Sequence, residues 1–172
     1  MNVKFKALFL DLSGVLYEGD QSISGAVEAV KLAQKRKIEL RFVTNTATQS
    51  SLNIIKKLAS MNIDVKEGEL FTAPIAAKKY IQHQKFRPYC IVHEAIKSEF
   101  DNIDQSKPNC VLLGDAQDGL DYSSMNRAFR LCKHGAPLIG IGMNKYFKDE
   151  NGLRLDAGLQ GTLVKTGKFQ IG

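Results

Sequence analysis

Two short polar segments at the ends of apolar runs are the residues of this chain best suited to chemistry. Asp11, Ser13 and Gly14 lie in "DLSG" after the apolar run "ALFL", and Thr44 and Asn45 follow "IELRFV". A carboxylate can act as a nucleophile or metal ligand, hydroxyl and amide groups can hold anionic oxygens, and glycine permits a tight turn that exposes backbone N–H groups. Together these groups suit a phosphoryl group. The alternative interpretation is that Asp11 only caps a turn and Thr44 only caps the next helix.

The elements that must position these residues are strands and helices in alternation, a pattern typical of a parallel sheet with crossover helices. After the first run, "SGAVEAVKLAQKRK" predicts a helix with Ser24 as its N-cap. "IELRFVTN" predicts a strand ending at Thr44, and "TQSSLNIIKKLASMNI" predicts a helix whose apolar face runs through Leu52, Ile55 and Leu58 or Ala59. Since parallel strands joined by one right-handed crossover are usually neighbours, Asp11 and Thr44 are expected at one edge of the sheet.

The rest of the chain repeats this alternation. Thr72 is expected to open a helix with Pro74 near its first position. Strands are then predicted in "PYCIVHE", "NCVLLGDA" and "PLIGIGMN", and helices in "AIKSEFDNI" and "YSSMNRAFRLCKHG". Periodicity alone leaves open whether this second series continues the first sheet or forms an inserted domain.

Composition narrows the class of protein. The chain has 172 residues with 24 Lys plus Arg against 18 Asp plus Glu, a net charge of +6. The basic residues are scattered in short groups without interleaved aromatics, so a solvated basic surface that attracts phosphorylated substrates is favoured over nucleic-acid binding. Cys90, Cys110 and Cys132 lie far apart without metal-ligand spacing, which predicts reduced thiols in a cytoplasmic protein. No signal peptide or membrane span is expected from the apolar runs.

Two motifs resemble those of the haloacid dehalogenase superfamily: "FLDLSGVLY" and "FVTNTATQS". Further segments, among them "RPYCIVHEAIKSEFDNIDQSKPNCVLLGDA" and "KYFKDENGLRLDAG", resemble the phosphatases of that superfamily that act on pyrophosphate and on phosphorus–nitrogen bonds. The resemblance implies a Rossmann-like α/β core with an inserted α/β cap. It places residues 1–84 in the core, 85–158 in the cap and 159–172 in a remnant of the last core strand.

The resemblance also implies a role for each site residue. Asp11 would be the nucleophile that accepts the phosphoryl group and a ligand of Mg²⁺, and Ser13 would offer its backbone carbonyl to the metal. Thr44 and Asn45 would bind phosphate. Most of the superfamily has an aspartate at the position of Ser13 that protonates the leaving group, and serine cannot do this near neutral pH. Pyrophosphate, phospholysine and phosphohistidine are therefore the expected substrates, since their leaving groups depend less on a general acid. Homodimerisation is left open.

Two further parts of the family's site are not identifiable in the chain: a lysine that steadies the phosphate and an acidic segment that completes the metal site. Lys165 and Lys168 lie in "GTLVKTGKF", which resembles a strand that follows the acidic segment, and are poor substitutes. Asp115, Asp118 and Asp121 follow an apolar run, but the resemblance places them in the cap, where His93 is interpreted as a surface or packing residue. The alternative function is thus a catalytically deficient variant that acts as a binding or dimerising protein.

Overall fold

The computed structural model describes residues 5–142, 144, 146–149, 152–155, 158 and 161. Helices and strands alternate along most of this range. The helices are α1 (Ala26–Lys35), α2 (Ser51–Ser60), α3 (Ala73–Gln84) and α4 (Tyr122–Lys133). The strands are β1 (Ala7–Asp11), β2 (Tyr17–Glu18), β3 (Gln21–Ser22), β4 (Glu39–Thr44), β5 (Leu70–Thr72), β6 (Pro88–Ile91), β7 (Cys110–Leu113), β8 (Leu138–Gly140), β9 (Tyr146–Asp149) and β10 (Gly152–Leu155). Short 3₁₀ helices cover Glu67–Glu69, Glu94–Phe100 and Gln117–Gly119.

The chain divides into two compact units. The first unit contains residues 1–44 and 50–72, and the second contains residues 45–49 and 73–172. Helix α3 therefore belongs to the second unit, whereas the sequence-based division at residue 84 assigned it to the core. The assignment of 1–84, 85–158 and 159–172 to core, cap and core remnant stays a prediction, and nearly all of the last segment lies outside the described residues.

The first unit is built on a parallel three-stranded sheet in the order β1-β4-β5. Strand β1 pairs with β4 over its whole length, with Asp11 opposite Val43, and β4 pairs with β5, with Thr44 opposite Thr72. The prediction that the strand ending at Asp11 lies beside the strand ending at Thr44 is confirmed. Strand β5 was missed because its apolar run is only three residues long, and Thr72 ends this strand rather than opening helix α3.

The core of the first unit lies on one face of this sheet. Leu8 and Leu10 of β1 and Phe42 of β4 pack with residues of both α1 and α2. Helix α2 buries Ile54 and Leu58 but leaves Leu52 60% exposed, so the expectation for Leu52 is wrong. Ser50 caps α2 through its hydroxyl.

The predicted N-cap of α1 is also wrong. Gly25, with φ +82°, occupies the N-cap position and no side chain caps the helix. The left-handed turn at this glycine leads the chain into α1, which leaves Ser24 outside the helix.

The second unit has its own parallel sheet, in the order β6-β7-β8. Its central strand β7 is buried at all four residues. On one face, Val111 and Leu113 pack with residues of α4, and on the other, Leu112 packs with residues of α3 and of the 3₁₀ helix Glu94–Phe100. That segment was predicted as a helix, and it forms 3₁₀ turns over Glu94–Phe100. Strands β9 and β10 form a separate antiparallel pair. In the described part of the chain, no helix is long and apolar enough to cross a membrane.

Candidate active site

Asp11 is the last residue of β1 and lies on its exposed side. The strand alternates in burial, so Ala7, Phe9 and Asp11 are exposed while Leu8 and Leu10 turn toward the core. The Leu12 backbone N–H donates to Asp11 Oδ1 at 2.8 Å. This bond orients the carboxylate and occupies one of its two oxygens. Asp11 thus presents an accessible carboxylate at the carboxyl end of a parallel strand, the place where such sheets collect reacting groups.

The turn after Asp11, which we call the aspartate turn (residues 11–17), is closed by backbone hydrogen bonds. The buried Leu12 carbonyl accepts from Leu16 at 2.8 Å and from Tyr17 at 3.2 Å, and the Gly14 N–H donates to the Tyr17 carbonyl at 2.8 Å. Gly14 has φ +79°, a conformation that side chains disfavour. The N–H of Gly14 is therefore used within the turn itself.

Ser13 remains exposed at the tip of this turn. The bonds that close the described turn end on the carbonyls of Leu12 and Tyr17 rather than on that of Ser13. The Ser13 carbonyl and the Asp11 carboxylate are hard oxygen donors two residues apart in the sequence. Such a pair fits part of a Mg²⁺ coordination sphere, which takes oxygen ligands.

Thr44 ends the neighbouring strand at the same edge of the sheet. Its side chain is buried, 4% exposed, and it lies opposite Thr72 of β5, which is 1% exposed. Buried hydroxyls at strand ends are suited to holding anionic oxygens, because they are shielded from competing water. Thr72 was missed as a site residue because the strand that carries it was missed. The first unit thus brings Asp11, Ser13, Thr44 and Thr72 to one sheet edge.

The other predicted phosphate ligand, Asn45, is exposed and is grouped with the second unit. Its role in phosphate binding stays a prediction. Lys165 and Lys168 lie outside the described residues.

Two further residues, one at the end of the aspartate turn and one on helix α2, were not found from the sequence. Tyr17 is 7% exposed, and burial raises the pKa of its hydroxyl, with the Asp11 carboxylate acting in the same direction and Lys57 opposing it. The Lys57 ammonium lies 4.7 Å from the centroid of the Tyr17 ring and 2.9 Å from Asp20 Oδ1. Some 40 positions separate the lysine from the tyrosine in the sequence, so no local pattern could have paired them.

The second unit has a cavity of about 420 Å³ at the carboxyl ends of β6 and β7. Its lining includes His93, Asp118 and Asp121. His93 Nδ1 accepts the Ala95 N–H at 3.1 Å and so caps a 3₁₀ helix, which is a structural role.

The aspartates of this region also have local roles in the fold. Asp121 caps α4 by accepting the Ser124 N–H at 2.8 Å, and this hydrogen bond lowers the pKa of its carboxyl. The Gln117 N–H donates to Oδ1 of the buried Asp115, with 3.4 Å between nitrogen and oxygen. Asp115, Asp118 and Asp121 all belong to the second unit. Among the described residues, no group of three His, Cys, Asp or Glu side chains could hold a metal ion.

Fold and site together define an α/β protein with a carboxylate at the end of β1 and buried hydroxyls at the ends of β4 and β5, its neighbours in the sheet. Comparison with known proteins gives this class a family. The family described as haloacid dehalogenase-like hydrolase matches residues 8–106, more than half of the chain. This chain belongs to the haloacid dehalogenase-like hydrolase family.

Particular relatives refine the comparison. The chain is 39% identical over 160 residues to the bovine phospholysine phosphohistidine inorganic pyrophosphate phosphatase, covering 89% of this chain and 59% of that protein. It is 37% identical over 153 residues to the bovine haloacid dehalogenase-like hydrolase domain-containing protein 2, with the same coverage. The chain therefore spans 59% of the length of these relatives.

A solved structure supports the fold. The 4-nitrophenylphosphatase of Thermotoga maritima superposes with a TM-score of 0.86 over 97% of this chain and 67% of its own, at 20% identity. The predicted α/β fold with parallel sheets is confirmed.

Proposed function

We propose that this protein is a magnesium-dependent phosphatase that hydrolyses pyrophosphate and phosphorus–nitrogen bonds with Asp11 as its nucleophile. The observation that carries the proposal is the placement of an exposed, oriented carboxylate at the same sheet edge as the buried Thr44 hydroxyl. The similarity to proteins named as phosphatases of phospholysine, phosphohistidine and inorganic pyrophosphate supports this substrate class.

The proposed reaction has two steps. A carboxylate oxygen of Asp11 attacks phosphorus, the bond from phosphorus to the leaving oxygen or nitrogen breaks, and an aspartyl phosphate forms. Water then attacks this phosphorus, which returns the carboxylate and releases inorganic phosphate. Thr44 would hold a phosphoryl oxygen through both steps, as would Asn45, and preorganised donors of this kind lower the barrier when charge develops on those oxygens.

Ser13 limits the leaving groups that this site can expel. A serine hydroxyl cannot act as a general acid near neutral pH, and loss of a general acid typically reduces rate by about 10²- to 10⁴-fold when the leaving group needs a proton. Phosphate leaves pyrophosphate as a stabilised anion, and the nitrogen of a phosphoramidate can take its proton before the bond breaks. Alcohol monoesters have neither advantage and are expected to be poor substrates.

The donor set of the aspartate turn is suited to Mg²⁺ as the cofactor. The Asp11 carboxylate and the Ser13 carbonyl would hold it, since both are oxygen ligands. When bound, a divalent cation supplies positive charge that offsets the charge of the phosphoryl oxygens. A phosphorylated small molecule or phospho-amino acid is the proposed partner, and cytoplasmic location is part of the proposal, supported by the three free cysteines.

The test is hydrolysis of pyrophosphate and of phospholysine with and without Mg²⁺, using the full chain. We expect Asp11→Asn to reduce kcat by about 10³-fold or more, as removal of a nucleophile usually does. Asp64→Asn is the matched control, because Asp64 is an exposed aspartate of the same unit. Circular dichroism would verify that both variants fold. Equal, residual rates in the wild type and in Asp11→Asn would instead support the alternative, a binding or dimerising protein.

A further inference from the structure

Lys57 connects helix α2 to the hairpin formed by β2 and β3. Its ammonium lies 4.7 Å from the Tyr17 ring centroid at the start of the hairpin and 2.9 Å from Asp20 Oδ1 at its tip. The Lys57 side chain is only 23% exposed, so it is held against the protein surface rather than extended into solvent. One side chain therefore fixes both ends of a short hairpin to a helix of the same unit.

The hairpin is continuous with the aspartate turn. Tyr17 donates its N–H to the Leu12 carbonyl and accepts the Gly14 N–H through its own carbonyl. These two bonds enclose Ser13, so a displacement of Tyr17 must also displace the turn beside Asp11.

The contact with Tyr17 should contribute more than the contact with Asp20. Asp20 is 95% exposed, and ion pairs with exposed partners contribute little in water. Tyr17 is buried, and an ammonium over the face of a buried aromatic ring is attracted more strongly because it is partly desolvated.

We propose that Lys57 is a positioning residue, which holds the Tyr17 ring and with it the turn that carries Ser13 and Gly14 beside Asp11. The catalytic part of this inference rests on the proposed function, because it concerns the rate at which Asp11 attacks phosphorus. Lys57 itself touches no reacting atom in this arrangement.

The experiment compares Lys57→Met, Lys57→Arg and the control Lys56→Met, which removes an exposed lysine from the same helix. For pyrophosphate with Mg²⁺, we expect Lys57→Met to lower kcat about three- to tenfold, the range expected for a contact of this kind. KM should change little, because Thr44 lies on β4 and not on the hairpin. Lys57→Arg keeps a cation over the ring and should restore kcat to within about twofold.

Amide hydrogen exchange gives a second readout that does not depend on activity. Lys57→Met should accelerate exchange in the segment 12–23, and Lys56→Met and Lys57→Arg should not. If Lys57→Met folds too poorly to assay, Lys57→Gln keeps much of the stem and removes the charge.

Each outcome decides a different claim. A wild-type chain without hydrolytic activity would contradict the proposed function, while exchange in 12–23 would still test the contact with the hairpin. Faster exchange with unchanged kcat in an active protein would overturn the positioning role. Equal behaviour of Lys57→Met and Lys56→Met in both measurements would overturn the inference as a whole.

Discussion

The two parallel sheets of this molecule have three strands each and the same sequential strand order, but they are covered differently. In the second unit, residues of β7 pack alternately into two cores, one with α4 and the other with α3. In the first unit, α1 and α2 both pack on one face, and the opposite face presents Phe9 at 74% and Phe71 at 39% exposure. Parallel sheets are normally buried on both faces.

This difference separates structural from chemical roles at the strand ends. In the second unit, polar residues that follow the strands have local roles, such as His93 and Asp121, which cap helices. The first sheet ends in Asp11, whose exposed side shares a face with Phe9. The exposed face of the first sheet, which carries Phe9, is thus also the face on which the Asp11 carboxylate is accessible.

The largest expected effect concerns the cysteines, all three of which lie in the second unit. Burial raises the pKa of Cys90 and that of Cys110 from an ordinary 9.0 to about 12. Burial also raises the pKa of Cys132. Since only the thiolate is alkylated, a rise of three pH units lowers the reactive fraction of Cys90 or Cys110 about a thousandfold at a given pH below 9. We expect iodoacetamide to label Cys90 and Cys110 at pH 8 about a thousandfold more slowly in the folded chain than in the urea-unfolded chain, and to label Cys132 more slowly as well. Rapid labelling of any cysteine in the folded protein, measured by mass spectrometry, would contradict the burial of these thiols.

The second prediction tests the one-sided cover of the first sheet. Phe42, at 0% exposure, lies on the covered face, and Phe42→Ala should destabilise the first unit by about 3–5 kcal/mol. Phe9→Ser, on the open face, should change stability by no more than about 0.5 kcal/mol. Amide exchange of peptides within residues 5–44 would measure both effects locally. A loss for Phe9→Ser that approached the loss for Phe42→Ala would mean that the open face is buried in solution.

The features that could be predicted from the sequence are those set by residues close to one another along the chain. Alternating apolar runs and amphipathic stretches are local, and so β1 and β4 were predicted correctly, with their parallel pairing from the handedness of the crossover. The placement of Asp11 and Thr44 at one edge follows from the same rule.

Other features depend on packing between distant segments and left no local pattern. Leu52 fits the periodicity of α2 yet is 60% exposed, while Ile54 and Leu58 are the residues that the helix buries. The contact of Lys57 with Tyr17 joins a helix to a hairpin. The grouping of α3 with the second unit depends on Ala77 and Ile81 packing with Leu112, far along the chain.

The third prediction tests the two-sided cover of the second sheet with a matched pair. Leu112 and Leu113 are adjacent in β7, 0% and 1% exposed, and they pack into opposite cores. Leu112→Ala and Leu113→Ala should each cost about 2–5 kcal/mol, because each leaves a cavity in a closed core. Urea unfolding would measure the two losses. If one substitution were nearly silent, the second sheet would be one-sided like the first.

The smallest effect concerns the caps of α2 and α4, one in each unit. Ser50 Oγ accepts the Asn53 N–H at 3.3 Å, whereas α4 is capped by the Asp121 carboxylate. Ser50→Ala should cost about 1 kcal/mol at every pH, because a hydroxyl does not titrate in this range.

Asp121 should differ from Ser50 in its response to acid. The Ser124 N–H lowers the pKa of Asp121 from its ordinary 3.8, so the ionised cap stabilises the folded state above that value and loses this effect as pH falls through the folded pKa. The destabilisation caused by Asp121→Ala should therefore shrink below about pH 4, while that of Ser50→Ala stays constant. Thermal unfolding of each variant against wild type at matched pH cancels the titration of the other carboxylates. Parallel curves for the two variants would show that the charge of Asp121 adds nothing to its hydrogen bond.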